Sequence, residues 1–193
     1  MRLQDDDRGS TCDAAGVDAD NRGGARRATE HLLSSGRRRV ATITGPMDLE
    51  ASVARHHGFG DAKAMAGLRS DWVEQADFSP EGGARAMTRL LAVHPDLDAV
   101  FVGSDNMAAG ALRALKAHGR RIPDDVALVG FDDLAIAQQT EPSLTTMSQP
   151  IRALGHEMAT MLIRLMEGEN PSPIILPTRL VVRGSAPAAL LST

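Results

Sequence analysis

Two short runs, Asp98-Ala99-Val100-Phe101-Val102-Gly103 and Val126-Ala127-Leu128-Val129-Gly130-Phe131, bracket a segment with helical periodicity. Each run is continuously apolar, a few residues long and closed by glycine and polar residues. That is how a strand buried on both faces reads. Between them Ala108, Leu112 and Leu115 recur on one helical face, Asp105 stands at the helix start as its expected N-cap, and Gly119 supplies a stop. A strand, a helix and a strand in about thirty residues form a βαβ unit.

The same alternation extends in both directions. Upstream, Asp20 or Asn21 caps a helix reaching about Ser35, with Ala25, Ala28, Leu32 and Leu33 on its buried face. Val40-Ala41-Thr42-Ile43-Thr44 reads as a strand closed by Gly45-Pro46. A helix is expected over roughly 50–66, a strand around Trp72–Phe78, and a helix opened by Ser79-Pro80 with Ala84, Met87, Leu90 and Leu91 inward. Downstream, a short helical stretch over 133–139 leads to Pro142. A long helix spans roughly 150–167 with Ile151, Leu154, Met158, Met161, Leu162 and Leu165 inward, and Thr178–Arg183 reads as a last strand. The expected architecture is a doubly wound α/β fold: a parallel sheet covered by helices on both faces.

The 193-residue chain carries 25 acidic and 21 basic side chains. Six aspartates and two arginines fall in residues 1–20, leaving 19 acidic and 19 basic beyond them. A neutral body lacks the basic footprint of a nucleic-acid-binding surface, and Arg37-Arg38-Arg39 reads as a helix end and loop. Residues 1–19 show no apolar period and are expected to be disordered or a truncated start. Cys12 is the single cysteine, so an intrachain disulfide is excluded. No stretch is long and apolar enough to span a membrane, and the acidic N-terminus is unlike a secretory signal, which points to the cytoplasm.

In parallel sheets, ligands bind beyond the carboxyl ends of the strands. Three strand exits are polar: Thr44-Gly45-Pro46, Gly103-Ser104-Asp105-Asn106 and Gly130-Phe131-Asp132-Asp133. Arg55 lies on the helix after the first. Arginine and carboxylate groups suit vicinal hydroxyls, Ser104 adds a small polar contact, and Trp72 offers a face for a sugar ring. Taken singly, each has a plainer role: Asp105 as a cap, Trp72 as a filler, Arg55 as a solvated helix residue. Their joint placement at strand exits lifts them above that background.

Enzymatic readings are weaker. His56 and His57 are adjacent and diverge on a helix, which makes a poor metal pair. Cys12 has no partner motif for a nucleophile. Neither GxGxxG after a strand nor GxxxxGK[ST] occurs. No catalytic residue, metal site or cofactor is expected. The Asp132-Asp133 pair leaves a receiver-like or hydrolase enzyme as a minor alternative; a stand-alone or periplasmic-type sugar-binding protein of the same fold is another.

An ordered series of words then resembles the LacI/GalR family of transcriptional regulators, whose effector-binding region is periplasmic-binding-protein-like, class I. The words are Asp20-Asn21-Arg22-Gly23-Gly24, Gly45-Pro46, Arg55-His56-His57-Gly58-Phe59, Ser104-Asp105-Asn106, Ile122-Pro123-Asp124-Asp125-Val126, Val129-Gly130-Phe131-Asp132-Asp133, Pro142-Ser143-Leu144-Thr145-Thr146 and Leu180-Val181-Val182-Arg183. The series covers about residues 18–186. The resemblance implies that Arg55 grips an effector and that Asp132 is the effector-binding aspartate. Ser104 stands where many members have asparagine, Trp72 matches an aromatic that closes over ligand, and Gln149 contacts ligand or relays lobe movement. It further implies a sugar or related small molecule as effector, a homodimer, and operator DNA bound only through a helix-turn-helix head that this chain lacks. By the same analogy residues 20–149 and 177–193 form the C-terminal lobe, and 150–176 are a remnant of a missing N-terminal lobe.

Overall fold

A computed structural model describes residues 15–69 and 72–188; Cys12 and the rest of residues 1–14 lie outside the described residues. In chain order the elements are β1 (Val17–Ala19), α1 (Asn21–Ser34), β2 (Val40–Thr44), α2 (Glu50–Met65), β3 (Val73–Gln75), α3 (Pro80–Val93) and β4 (Ala99–Val102). They continue with α4 (Asp105–Ala117), β5 (Ala127–Asp132), α5 (Ile136–Gln139), β6 (Thr145–Ser148), α6 (Ile151–Met166), β7 (Ile174–Leu176) and β8 (Arg179–Val181).

Six strands form one sheet in the order β3-β2-β4-β5-β6-β8, parallel throughout except for the antiparallel edge strand β8. Alternation along each strand sends successive side chains to opposite faces. Val40, Ala99, Phe101, Val129 and Phe131 pack under α1 and α2 with Leu32 and Phe59. Ala41, Ile43, Val100, Val102 and Leu128 pack under α3 and α4 with Met87, Leu90, Met107 and Leu115. With three per cent aromatics, the helices approach closely through small residues. A Cβ on Gly58 of α2 would run into the Arg22 carbonyl of α1, and one on Gly110 of α4 would run into the Pro80 carbonyl of α3.

The chain steps from β2 leftward to β3, then from β3 rightward to β4. The order therefore reverses between β2 and β4, and this is where a doubly wound sheet opens a crevice at its carboxyl edge.

Local signals explain the helix starts. The Asp20 carboxylate accepts from the Gly23 N–H, and the Ser79 hydroxyl accepts from Gly82 N–H ahead of Pro80 at the first position of α3. At α4 the expected cap is corrected. Ser104 caps by accepting from Met107 N–H, and Asp105 is the first helical residue, fully buried.

Three further elements depart from the sequence expectation. Val17–Ala19, expected to be unstructured, is a strand, because it gains a parallel partner in β7, far away in the chain (Val17 against Ile174), and Asp20 N–H donates to the Leu176 carbonyl at 2.8 Å. Thr145-Thr146 dilute the apolar signal of β6, so no strand is expected there from sequence; its position between β5 and β8 makes it one. Of the α6 positions expected to face inward, only Met161 is buried; Leu154 is half-buried, and Ile151, Met158, Leu162 and Leu165 are exposed. α6 packs on the separate β1–β7 pair rather than on the six-stranded sheet. Among the described residues no helix is long and apolar enough to cross a membrane.

Two measurements check this packing. Phe101→Ala is expected to cost about 3–5 kcal/mol in urea unfolding, the range for a buried phenylalanine. Met158→Glu with Leu162→Glu is expected to change stability by less than about 0.5 kcal/mol, as surface substitutions do, while lowering the fluorescence of bound anilinonaphthalene sulfonate. A large loss of stability in the double variant would show that this face is core.

Candidate functional site

The crevice between the β2 and β4 exits is floored by a buried arginine. Arg55 points from the second turn of α2, one face of which (Ser52, Arg55, Gly58, Phe59, Ala62) turns inward. Its Nη1 donates to the Gly103 carbonyl at the β4 exit (2.6 Å) and its Nε donates to Asn21 Oδ1 at the start of α1 (2.8 Å). The guanidinium carbon lies 3.9 Å from the centroid of the Phe131 ring, a cation–π placement. Nη1 is also 3.3 Å from Asp132 Oδ1, with the two side chains 9% and 18% exposed.

Asp132 closes β5 in a left-handed conformation (φ 112°), and Asp133 follows in the same region (φ 62°). Non-glycine residues hold such angles only when their surroundings fix them. Gln149 Nε2 donates to Asp132 Oδ1 (2.6 Å) from the segment after β6, and Arg183 Nη2 donates to Asp133 Oδ1 (2.7 Å).

Burial governs the charges. It pushes the Arg55 guanidinium down from its ordinary value, against the pull of Asp132 and Asp18. It pushes the Asp132 carboxyl up, against Arg55 and the Gln149 hydrogen bond. Each group is held charged chiefly by its partner.

Of the sequence-expected site residues, Arg55, Asp132 and Gln149 meet directly. Ser104 is buried next to Gly103, whose carbonyl Arg55 binds, and its hydroxyl is already engaged as the α4 cap. Trp72 does not join them. It precedes β3 at the opposite, amino end of the strand, stacked on His94 with centroids 4.2 Å apart. Held there at the far end of the sheet, Trp72 does not line this crevice, and the expectation for it is corrected.

The structure supplies three residues that the sequence did not mark as site residues. Phe78, left-handed at φ 63°, lies against Gly45 at the β2 exit, where a Cβ would run into its ring. Here the missing side chain of Gly45 makes room for an aromatic face. Asn21 links Arg55 to Asp18, donating through Nδ2 to both Asp18 oxygens (3.1 and 3.0 Å). Arg183 holds Asp133. The Gly45-Pro46 pair hints at the first of these, whereas Asn21 is distant in sequence from Arg55 and Arg183 from Asp133.

The assembly brings a cation, a carboxylate and a carboxamide together at the carboxyl edge of the sheet, with an apolar ring at the β2 exit, a set of groups that suits a ligand rich in hydroxyls. Among the described residues no group of three or more His, Cys, Asp or Glu is placed to hold a metal ion.

Comparison with known proteins agrees with this geometry. Residues 29–186 match the periplasmic binding protein-like domain. The chain is 46% identical over 173 residues to the HTH-type transcriptional regulator CelR of Thermobifida fusca, covering 88% of this chain and 51% of that protein. The solved complex of the regulator CelR with cellobiose superposes with a TM-score of 0.88 at 45% identity, over 90% of this chain and 54% of that one. A sugar-binding LacI-family transcriptional regulator from Escherichia coli, solved with phosphate, gives a TM-score of 0.81 at 31% identity, over 88% of this chain and 62% of that one. The chain thus spans about half the length of the curated relatives it matches. With the ordered motifs, the reversed sheet order and the family match all in agreement, this chain belongs to the periplasmic binding protein-like domain family, in the form carried by LacI-type transcriptional regulators.

Proposed function

We propose that the chain is the effector-sensing part of a LacI-type transcriptional regulator, a binding module rather than an enzyme. Its effector is a sugar or a related hydroxyl-rich small molecule. Arg55 donates to ligand hydroxyls, Asp132 accepts from them, Ser104 and Gln149 contribute at the rim, and Phe78 lies against the apolar face of a ring.

The observation that carries this reading is the Arg55–Asp132 pair at the switch point. Desolvation of a buried ion pair offsets most of its attraction, so such a pair is poor support for a fold. Here burial works against the charged form of both members. Groups kept charged at that cost, on the open edge of a sheet, are suited to a polar ligand that restores their hydrogen bonds. The solved relative holding cellobiose is consistent with that chemistry.

The domain organisation follows the same reading. Residues 20–149 with 177–193 make one lobe, and 150–176 belong to a second. In support, β7 pairs with β1 in a sheet of its own, and α6 turns an uncovered apolar face outward. Ligand held between two lobes favours their closed arrangement, and in a homodimer that shift alters how the DNA-binding parts sit on an operator in the cytoplasm.

Titration of the isotopically labelled chain with cellobiose and with ribose tests the reading by nuclear magnetic resonance. Because a single wall makes only part of the contacts, affinity is expected in the millimolar range. Shift changes should centre on residues 44–46, 55, 78, 103–104, 131–133 and 149. Arg55→Met is expected to weaken binding by about tenfold or more, the worth of charge-assisted hydrogen bonds. Absence of any localised change with either sugar would sink the proposal.

A further inference from the structure

Asp105 is a carboxylate with no solvent exposure that does not cap its own helix. Its two oxygens reach two other strand ends. Thr146 of β6 donates its hydroxyl to Oδ1 at 2.6 Å, and the Leu134 backbone N–H, just past β5, donates to Oδ2 at 2.8 Å. To do so the side chain crosses β5 at Gly130, where any Cβ would run into Oδ1. One carboxylate thereby ties the ends of β4, β5 and β6 together.

Leu134 follows the left-handed Asp132–Asp133 pair directly. That turn is gripped at three points. Arg55 and Gln149 hold the Asp132 side chain, Arg183 holds the Asp133 side chain, and Asp105 holds the backbone from within the core. Only the last contact acts on the peptide itself, so it constrains the turn whatever the two aspartate side chains are doing.

We propose that Asp105 is a positioning residue for the candidate site: through the Leu134 amide it fixes the left-handed turn and so aims the Asp132 carboxylate into the crevice. The part played by Asp132 towards ligand rests on the proposed function; the hold on the turn does not.

Burial first, then the facing carboxylates Asp132 and Asp133, push the Asp105 carboxyl up to about 7, against the hydrogen bonds from Thr146 and Leu134. The cations nearby are Arg55 on α2, which pairs with Asp132, and Arg183 after β8, which pairs with Asp133. Ionised Asp105 accepts from both donors. Protonated, it donates to Thr146 and receives Leu134 on a neutral oxygen, a weaker bond. The raised value means that Asp105 favours the folded state most below its ordinary carboxylate range, and that this contribution is lost as pH rises through about 7. The turn is therefore tightest on the side of neutrality where the fold gains least from this group.

Amide hydrogen exchange of the whole chain reads this out. In the wild type, Leu134 protection corrected for intrinsic exchange is expected to rise between pH 6 and 8, while β4 amides such as Phe101 follow global stability. Asp105→Asn offers the same donor and acceptor pattern as the protonated carboxyl. It should hold Leu134 at the wild-type low-pH level and abolish the rise. Asp105→Ala should speed Leu134 exchange by about tenfold or more beyond the global change, as loss of a hydrogen bond to a charged group does. A wild-type profile flat through neutrality, or Leu134 exchange that moves only in step with β4 in the alanine variant, overturns the proposal. Should the alanine variant fail to fold, the wild-type profile and the asparagine variant decide. No sugar is needed, so a chain that takes up neither cellobiose nor ribose yet shows this pattern keeps the positioning role and loses the sensing one.

Discussion

Arg55 cannot be desolvated without partners, and the site is arranged around meeting that need. Its donors are met by a backbone carbonyl from β4, a side chain from α1 and a carboxylate from β5, while an aromatic ring lies under its plane. A guanidinium is planar, always charged and rich in donors, so it can draw on several elements at once. Around this one group the ends of β4 and β5 and the start of α1 are brought to a common point. The reversal of strand order between β2 and β4 leaves that point open to solvent rather than closed by a crossover.

Close approach of small helices makes this possible in a chain nearly without aromatics. Gly58 meets the Arg22 carbonyl and Gly110 meets the Pro80 carbonyl, so α1 lies on α2 and α3 on α4 at backbone distance. The fold gains its density from alanine, glycine and β-branched residues rather than from large rings. The two phenylalanines at its centre, Phe101 and Phe131, meet edge to face with centroids 6.4 Å apart, and Phe131 carries that packing up to Arg55. Core and site are continuous through this ring.

α6 is the exception to the density. Its sequence has the period of a buried helix, yet among the described residues its apolar face packs on the short β1–β7 pair and is otherwise exposed. Periodicity states that a face is apolar; it does not state what covers it. The same separation between local pattern and distant partner explains β1 and β6. Val17–Ala19 has no strand signal of its own and becomes one through β7, and the threonines of β6 are accepted because Asp105 and the Arg183 carbonyl take their hydroxyls.

The alternation of strands and helices from α1 to β5, the two-sided burial of β2, β4 and β5, the polar exits carrying Ser104 and Asp132, and Arg55 on the helix after the first exit were all set by sequence. They depend on periodicity, capping and glycine punctuation, which act over a few residues. What only the tertiary structure decided was contact between residues far apart in the chain. It drew Gln149 onto Asp132 and Asn21 onto Arg55, and it sent Trp72 to the far end of the sheet while seating Phe78 on Gly45. It turned Asp105 from a helix cap into a buried tie between three strands. The physical reason is that a strand register and a helix packing angle set which ends of the sheet come together, and no local pattern encodes either.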